Sequence, residues 1–340
     1  MVLEFMELVT TIKEDQTVWL LGEDNPSIRF WALQDLMDVT RADAEVEAAQ
    51  EALMGSAPVK AILAAQSPEG YWGAPRNMYL PKYTATTHSL LILAELGARR
   101  TTAIERGIEH MFLYQRNSGH FFVDLPASEK GCASAVKDGC CLDGNVLYYL
   151  VHFGYLDDPR TKRLLDFTVD YHSVDIAGWK CRSYPINPGG VFPANCYMGA
   201  AKMLRALSTI PSKKSGREIG AVIDREVENI LENGVYRYLR NPDGSRKDKA
   251  GWKRFGFPLF YQSDALEVLD TLTRLGIRDE RMRDSVDLVL EAQGPDGCWL
   301  LENTFNGKMW VDIEEKGLPS KWITLRALRA LRRFHGYNRS

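Results

Sequence analysis

Five of the six cysteines, Cys132, Cys140, Cys141, Cys181 and Cys196, fall within 65 residues, while Cys298 stands apart. Thiolates suit tetrahedral zinc, at about 2.3 Å from the metal. The chain holds no CxxC pair, so a shared ion would have to be assembled by the fold rather than by a local motif. A second group of residues offers proton chemistry: Tyr83 and His88 in YTATTH, Asp143 and Asn145 behind Cys141 in CLDGN, and Tyr261 with Asp264 in YQSD. Lys321 and Trp322 open a later segment of the same kind. An imidazole changes charge near neutral pH, and carboxylates and phenols can carry protons where their surroundings tune them. Each residue also has a plainer reading. His88 could be a core imidazole, Asp143 and Asp264 suit helix starts, and a thiol is often simply core.

What positions these residues is a repeated phrase. Gln66, Gly70 and Trp72 in QSPEGYW recur as Gln115, Gly119 and Phe121 in QRNSGHF, and as Gln293, Gly297 and Trp299 in QGPDGCW. Each copy ends one amphipathic helix pattern and precedes a more apolar one, which makes the chain a string of helical hairpins. Segments 84–96 and 142–153 are apolar round most of their circumference, as a walled-in helix must be; 160–171 and 280–293 carry an apolar stripe beside a charged face. Inner and outer helices therefore alternate, with inner starts expected near Ser27, Thr84, Cys141, Cys196, Gln262 and Ser320. The sixth inner helix, 320–334, lacks an outer partner after it, and an orphan amphipathic stretch at 2–13 could supply one by closing the chain on itself. The expected fold is all-α, an α/α toroid of six inner and six outer helices in one domain spanning 1–340. Strand signals are confined to VYRYLR (235–240), read as a hairpin arm before NPDGSRK.

A ring changes the meaning of the cysteines. Cys141 and Cys196 open the third and fourth inner helices and Cys181 follows Gly178-Trp179, so all three should meet at one rim, with Cys132 or Cys140 as a fourth ligand. Helix starts favour thiolate over thiol. Zinc is the first expectation; buried inert thiols and an iron–sulfur cluster or redox disulfide are the alternatives. Polar first turns above later turns of Leu, Val and Ala imply a cavity with an apolar floor and a polar mouth, suited to a small hydrophobic ligand.

The net charge of −3, from 42 basic and 45 acidic residues, gives no reason to invoke nucleic acid. No apolar run is long enough to span a membrane, and the N-terminus lacks a secretory pattern, so a cytoplasmic protein is expected.

The Gln-x-x-x-Gly-x-Trp phrase with alternating inner and outer helices resembles the squalene-hopene cyclase and protein prenyltransferase superfamily, the α/α toroids of isoprenoid chemistry. The resemblance implies a closed helical ring and a hydrophobic, isoprenoid-like substrate. The DxDD acid of class II cyclases is absent, and Asp157-Asp158 in YLDDPR reads as a turn and helix cap. Prenyltransferase β subunits and the lanthionine cyclases hold a thiol-activating zinc, and the Cys-rich rim resembles those sites in kind. Two functions follow. One is an enzyme with zinc on Cys141, Cys181 and Cys196 as Lewis acid or activator of a thiol or water, and His88, Asp264, Tyr83, Tyr261 or Asp143 handling protons. The other is a non-catalytic binding toroid with zinc as a structural clasp, and a redox role for Cys132, Cys140 and Cys141 is a third possibility. The oligomeric state is not legible in the sequence.

Overall fold

The computed structural model describes residues 14–125, 139–172, 177–179, 196–241 and 243–336. Within them the helices are α1 (Glu14–Leu20), α2 (Pro26–Asp35), α3 (Ala44–Met54), α4 (Ala57–Ala64), α5 (Thr86–Glu95), α6 (Thr102–Phe112), α7 (Cys140–His152), α8 (Pro159–Asp170), α9 (Tyr197–Leu207), α10 (Ser212–Glu232), α11 (Ala265–Arg274), α12 (Arg283–Glu291) and α13 (Lys321–His335). Their starts are set by ordinary capping. Asn25, Thr101, Asp158 and Ser320 each accept a hydrogen bond from a backbone N–H of the first turn, which answers donors that a helix start leaves without partners. Asp158 is thus a cap, as YLDDPR suggested.

The inner helices are α2, α5, α7, α9, α11 and α13. Successive members from α5 to α13 are in contact, and α13 packs on α2. The indole of Trp31 in α2 donates to the Glu95 carbonyl at the end of α5 at 2.8 Å, which joins the first two inner helices and completes the circle. The inner starts lie within three residues of those expected. Outside them, α6, α8, α10 and α12 each pack on the inner helix that precedes them, and α3 and α4 bridge α2 and α5.

The repeated phrase fastens one unit to the next. Gln66 Nε2 donates to the Gly70 carbonyl at 2.9 Å and to the Ala103 carbonyl in α6 at 2.8 Å; Gln115 Nε2 does the same with Gly119 and with Arg160 in α8, at 2.8 and 2.7 Å. The buried indoles of Trp72 and Trp299 donate back to Ile62 and Val289, in the outer helices they follow. Gly70, Gly119 and Gly297 have φ of +96°, +105° and +80°. A side chain at Gly70 would put Cβ 2.8 Å from the Arg106 carbonyl of α6, and one at Gly119 would strike the Arg163 carbonyl of α8. At Gly297 the obstacle is Gln16 of α1, whose Nε2 donates to the Asp296 carbonyl at 3.0 Å. So α1 stands to the last phrase as α6 stands to the first. Residues 2–13, where the closing helix was expected, lie outside the described residues.

The interior differs from the expected apolar floor. Lys202 in α9 reaches both carboxylate oxygens of Glu267 in α11 at 2.7 Å, and Arg205 bonds Glu95 and lies 3.4 Å from Glu267. Arg326 of α13 approaches Glu95 at 3.9 Å. Nearer the outside, Arg329 and Arg333 both pair with Asp270 and Asp35, stitching α13 to α11 and α2. The later turns of the inner helices therefore carry charge as well as Leu and Ala, with charged residues three apart, Lys202 and Arg205, Glu267 and Asp270, Arg326 and Arg329, falling on one stripe of each helix. Elsewhere, β1 (Leu239–Arg240) pairs antiparallel with β2 (Arg246–Lys247), the hairpin expected there.

The glycine fit yields a prediction. Gly154, at φ +80° with nothing within 4 Å of where a Cβ would stand, isolates the backbone strain, so Gly154→Ala should cost about 1 kcal/mol. Gly119→Ala adds a collision with α8 and should cost at least about 2 kcal/mol more, read as a lower urea midpoint. Equal midpoints for the two variants would contradict this packing.

Candidate functional site

The first turns of the inner helices are pinned by the aromatic phrases. The Thr86 hydroxyl accepts from the Trp72 N–H at 3.0 Å, the Thr324 hydroxyl accepts from Trp299 N–H at 3.1 Å, and Asp143 Oδ1 accepts from Phe121 N–H at 3.0 Å. Asp143 thus fills a position that threonine fills in two other units. Asp264 caps α11, with Oδ1 accepting from Glu267 N–H at 2.7 Å and Oδ2 from Gly256 N–H at 2.9 Å. Both carboxylates of the expected acid–base set are held in the scaffold. Burial, opposed by Arg326 nearby, still pushes Asp264 up to about 6.

His88 is the member of that set with the most unusual surroundings. It lies in the first turn of α5, 2% exposed, among the rings of Tyr79, Phe260 and Tyr83 at 4.7, 4.9 and 5.8 Å. Neither ring nitrogen has a hydrogen-bond partner among the described residues. Burial, with Lys82 adding to it, lowers its pKa to about 3, so the ring is neutral at physiological pH. Buried polar groups almost always find partners, so an imidazole with none calls for an explanation such as an ordered water, a bound molecule or a catalytic role.

The cage around His88 is built from loops. Tyr83 holds φ at +75°, an uncommon value for a bulky residue that costs on the order of 1–3 kcal/mol. It is held there by Phe305, stacked at 4.2 Å, and by Phe260 at 5.1 Å. Tyr261 is beside Lys82, whose ammonium lies 5.4 Å from the ring. Burial raises the Tyr79 phenol, and Cys141, Tyr261 and Tyr83 raise it further, which places those four residues in one electrostatic neighbourhood. Asn145 donates to the Phe260 carbonyl at 2.9 Å, while its Oδ1, like Oε1 of Gln262, has no partner among the described residues. Trp310 closes the outside, donating to the Thr84 carbonyl and the Ser89 hydroxyl at 3.0 and 3.1 Å. Sequence reasoning missed Tyr79, Phe260, Phe305 and Trp310. Only Phe260, next to Tyr261, carried a signal.

Cys140, Cys141 and Cys196 lie at two neighbouring helix starts. Gly144 and Gly199 let α7 and α9 approach so closely that a Cβ on Gly199 would lie 3.0 Å from Cys140 Cβ, 3.4 Å from the Cys141 nitrogen and 3.5 Å from Cys196 Cβ. Cys140 donates to the Gly199 carbonyl at 3.5 Å, and Cys196 caps α9 by accepting from the Gly199 N–H at 3.3 Å. Cys132 and Cys181 lie outside the described residues. Among the described residues no three His, Cys, Asp or Glu side chains are grouped to hold a metal ion. The described residues alone therefore do not make the expected zinc site.

No family model matches the sequence, and no curated protein matches it. Solved structures similar in chain path include a protein from Actinoplanes, at 13% identity and TM-score 0.45 over 92% of this chain and 90% of that one. The type II terpene cyclase MstE from Scytonema is similar at 16% identity and TM-score 0.44, over 91% and 86% of the two chains. A variant of that cyclase, in complex with its substrate geranylgeranyl dihydroxybenzoate, is similar at 14% and 0.45 over 92% and 88%. The ring rests on this protein's own contacts. No helix among the described residues is long and apolar enough to cross a membrane.

Asp264 gives a pH prediction. Its folded pKa of about 6 exceeds the ordinary carboxylate value of 3.8, so the folded state holds the proton more tightly, and the stability this supplies is full below pH 4 and lost as pH rises through 6. Asp264→Asn cannot lose a proton. The melting temperature of the natural protein minus that of Asp264→Asn should therefore fall between pH 4 and pH 7, and a flat difference would refute the shift.

Proposed function

We propose that the protein is an enzyme that takes a small hydrophobic molecule, of isoprenoid type, into the N-terminal mouth of its ring and transfers a proton at His88. The observation that carries this reading is the buried, neutral imidazole without a protein partner among the described residues, inside a cage of Tyr79, Tyr83, Phe260 and Phe305. Ring faces hold an apolar body and stabilise positive charge developing on it. The imidazole can accept a proton or a hydrogen bond from the ligand, and Asn145 Oδ1 and Gln262 Oε1 offer acceptors for a hydroxyl.

The test is turnover. Purified protein is incubated with farnesyl and geranylgeranyl alcohols, diphosphates and aryl conjugates, and products are followed by mass spectrometry. For the substrate found, His88→Phe should keep binding and lower kcat by at least about 100-fold, the range typical for loss of a proton-transfer group. Unchanged kcat in His88→Phe would end the assignment. Binding without product in the natural protein would instead support a non-catalytic toroid using the same cage.

A metal reading is favoured by one observation, the approach of the Cys140 and Cys196 side chains across Gly199 beside the Cys141 backbone. With Cys132 or Cys181 added they could hold zinc, which would supply Lewis acidity or a structural clasp. Elemental analysis decides it: one zinc per chain, lost in Cys141→Ser and Cys196→Ser, is expected on this reading, and absence of bound metal after purification without chelator would remove it.

A further inference from the structure

A cavity of about 200 Å³ runs along α13 from its first turn to its third and reaches the last turns of α5, α7 and α11; it is lined by Trp31, Tyr148, His152 and Trp322 together with Arg41, Arg274, Arg326 and Arg329. Its one lining carboxylate is Glu95, which already bonds Arg205 and the more distant Arg326. Arg329 is taken up by Asp35 and Asp270. Arg326 keeps one donor in reserve: it is 5% exposed, with Glu95 3.9 Å away and the Phe257 ring at 5.9 Å, and its Nη1 has no hydrogen-bond partner among the described residues. The buried Trp322 Nε1 likewise has none.

Helix ends carry partial negative charge at their C-termini, and basic residues in a last turn can serve simply to answer it. Arg205 and Arg274 sit in the last turns of α9 and α11 and fit that role. Arg326 does not, because it lies in the second turn of a fifteen-residue helix. A buried guanidinium with an unused donor is costly unless an acceptor reaches it.

We infer that this cavity binds a small organic oxyanion with a planar aromatic body. The carboxylate or phosphate head would meet Arg326, with Arg274 and Arg41 at the rim, and the ring would lie against Trp31, Tyr148 and Trp322. Trp322 is well placed for this, since its other face is already fixed against Phe257 at 4.1 Å and 6°. Guanidinium forks match either kind of head, and aromatic walls select a flat body. The inferred site shares no residue with the His88 cage and stands without it.

Calorimetric titration of the whole protein with phenyl phosphate, benzoate and inorganic phosphate tests it. At least one aromatic anion should bind at least 10-fold more tightly than inorganic phosphate, and the tighter of phenyl phosphate and benzoate identifies the head group. Arg326→Gln should weaken that binding at least 10-fold, and His88→Phe should leave it unchanged. If Arg326→Gln fails to fold, Arg274→Gln, at an exposed position, should still weaken binding about 3-fold. No binding of either aromatic anion, or equal affinity in the natural protein and the arginine variants, would overturn the site.

Discussion

The structure depends on the buried charge cluster at the axis of the ring. Six inner helices arranged in a circle leave a space that their backbones cannot fill, and in this chain Lys202, Arg205, Glu95, Glu267 and Arg326 meet there. Burial alone would push Glu267 up, but Lys202, Arg205 and Arg326 together hold it below the usual carboxylate range, so it stays ionised. Replacing one partner of such a cluster leaves an uncompensated charge in a low-dielectric interior, a loss typically of about 3–5 kcal/mol. The cluster ties α5, α9, α11 and α13 together at a level where apolar contacts would leave register and rotation less defined.

This plug also divides the interior by chemistry. At the end of the ring where α5 starts the groups are aromatic rings around a neutral imidazole, while the later turns of the inner helices carry guanidinium groups, Arg205, Arg274 and Arg329 among them. On the two proposed readings, a hydrophobic molecule and an anion would be received at different sites. The strained Tyr83 backbone belongs to the first end, where Phe305 and Phe260 hold a conformation that the chain would not choose alone.

Much of the ring was legible because it is written locally. The Gln of the first two phrases donates to the next outer helix and their Gly lies against it, so the spacing carries the unit-to-unit contact, and helix caps such as Asp158 can be read within four residues. The axis was not legible: Glu95, Lys202 and Glu267 come from three units far apart in sequence, and each looked like one polar residue on an apolar helix. His88 was read from the sequence as either a core imidazole or an acid–base candidate, and its cage was only partly readable, since Tyr79, Phe305 and Trp310 come from loops outside the repeat. Asp143 and Asp264 looked chemical because a carboxylate at a helix start has two meanings, and here both hold backbone N–H groups. Cys141, Cys181 and Cys196 were expected to meet; the described residues show Cys140 and Cys141 at the start of α7 beside Cys196 at the start of α9, whereas Cys132 and Cys181 lie outside them.

The central claim is that compensating charge at the axis holds the ring together. A double-mutant cycle on Lys202→Met and Glu267→Gln, measured by urea unfolding, tests it most directly. Each single change should be strongly destabilising and the double change much less so than their sum, with a coupling of at least about 2 kcal/mol. Additivity within about 0.5 kcal/mol would show that the two groups do not stabilise one another and would contradict the account.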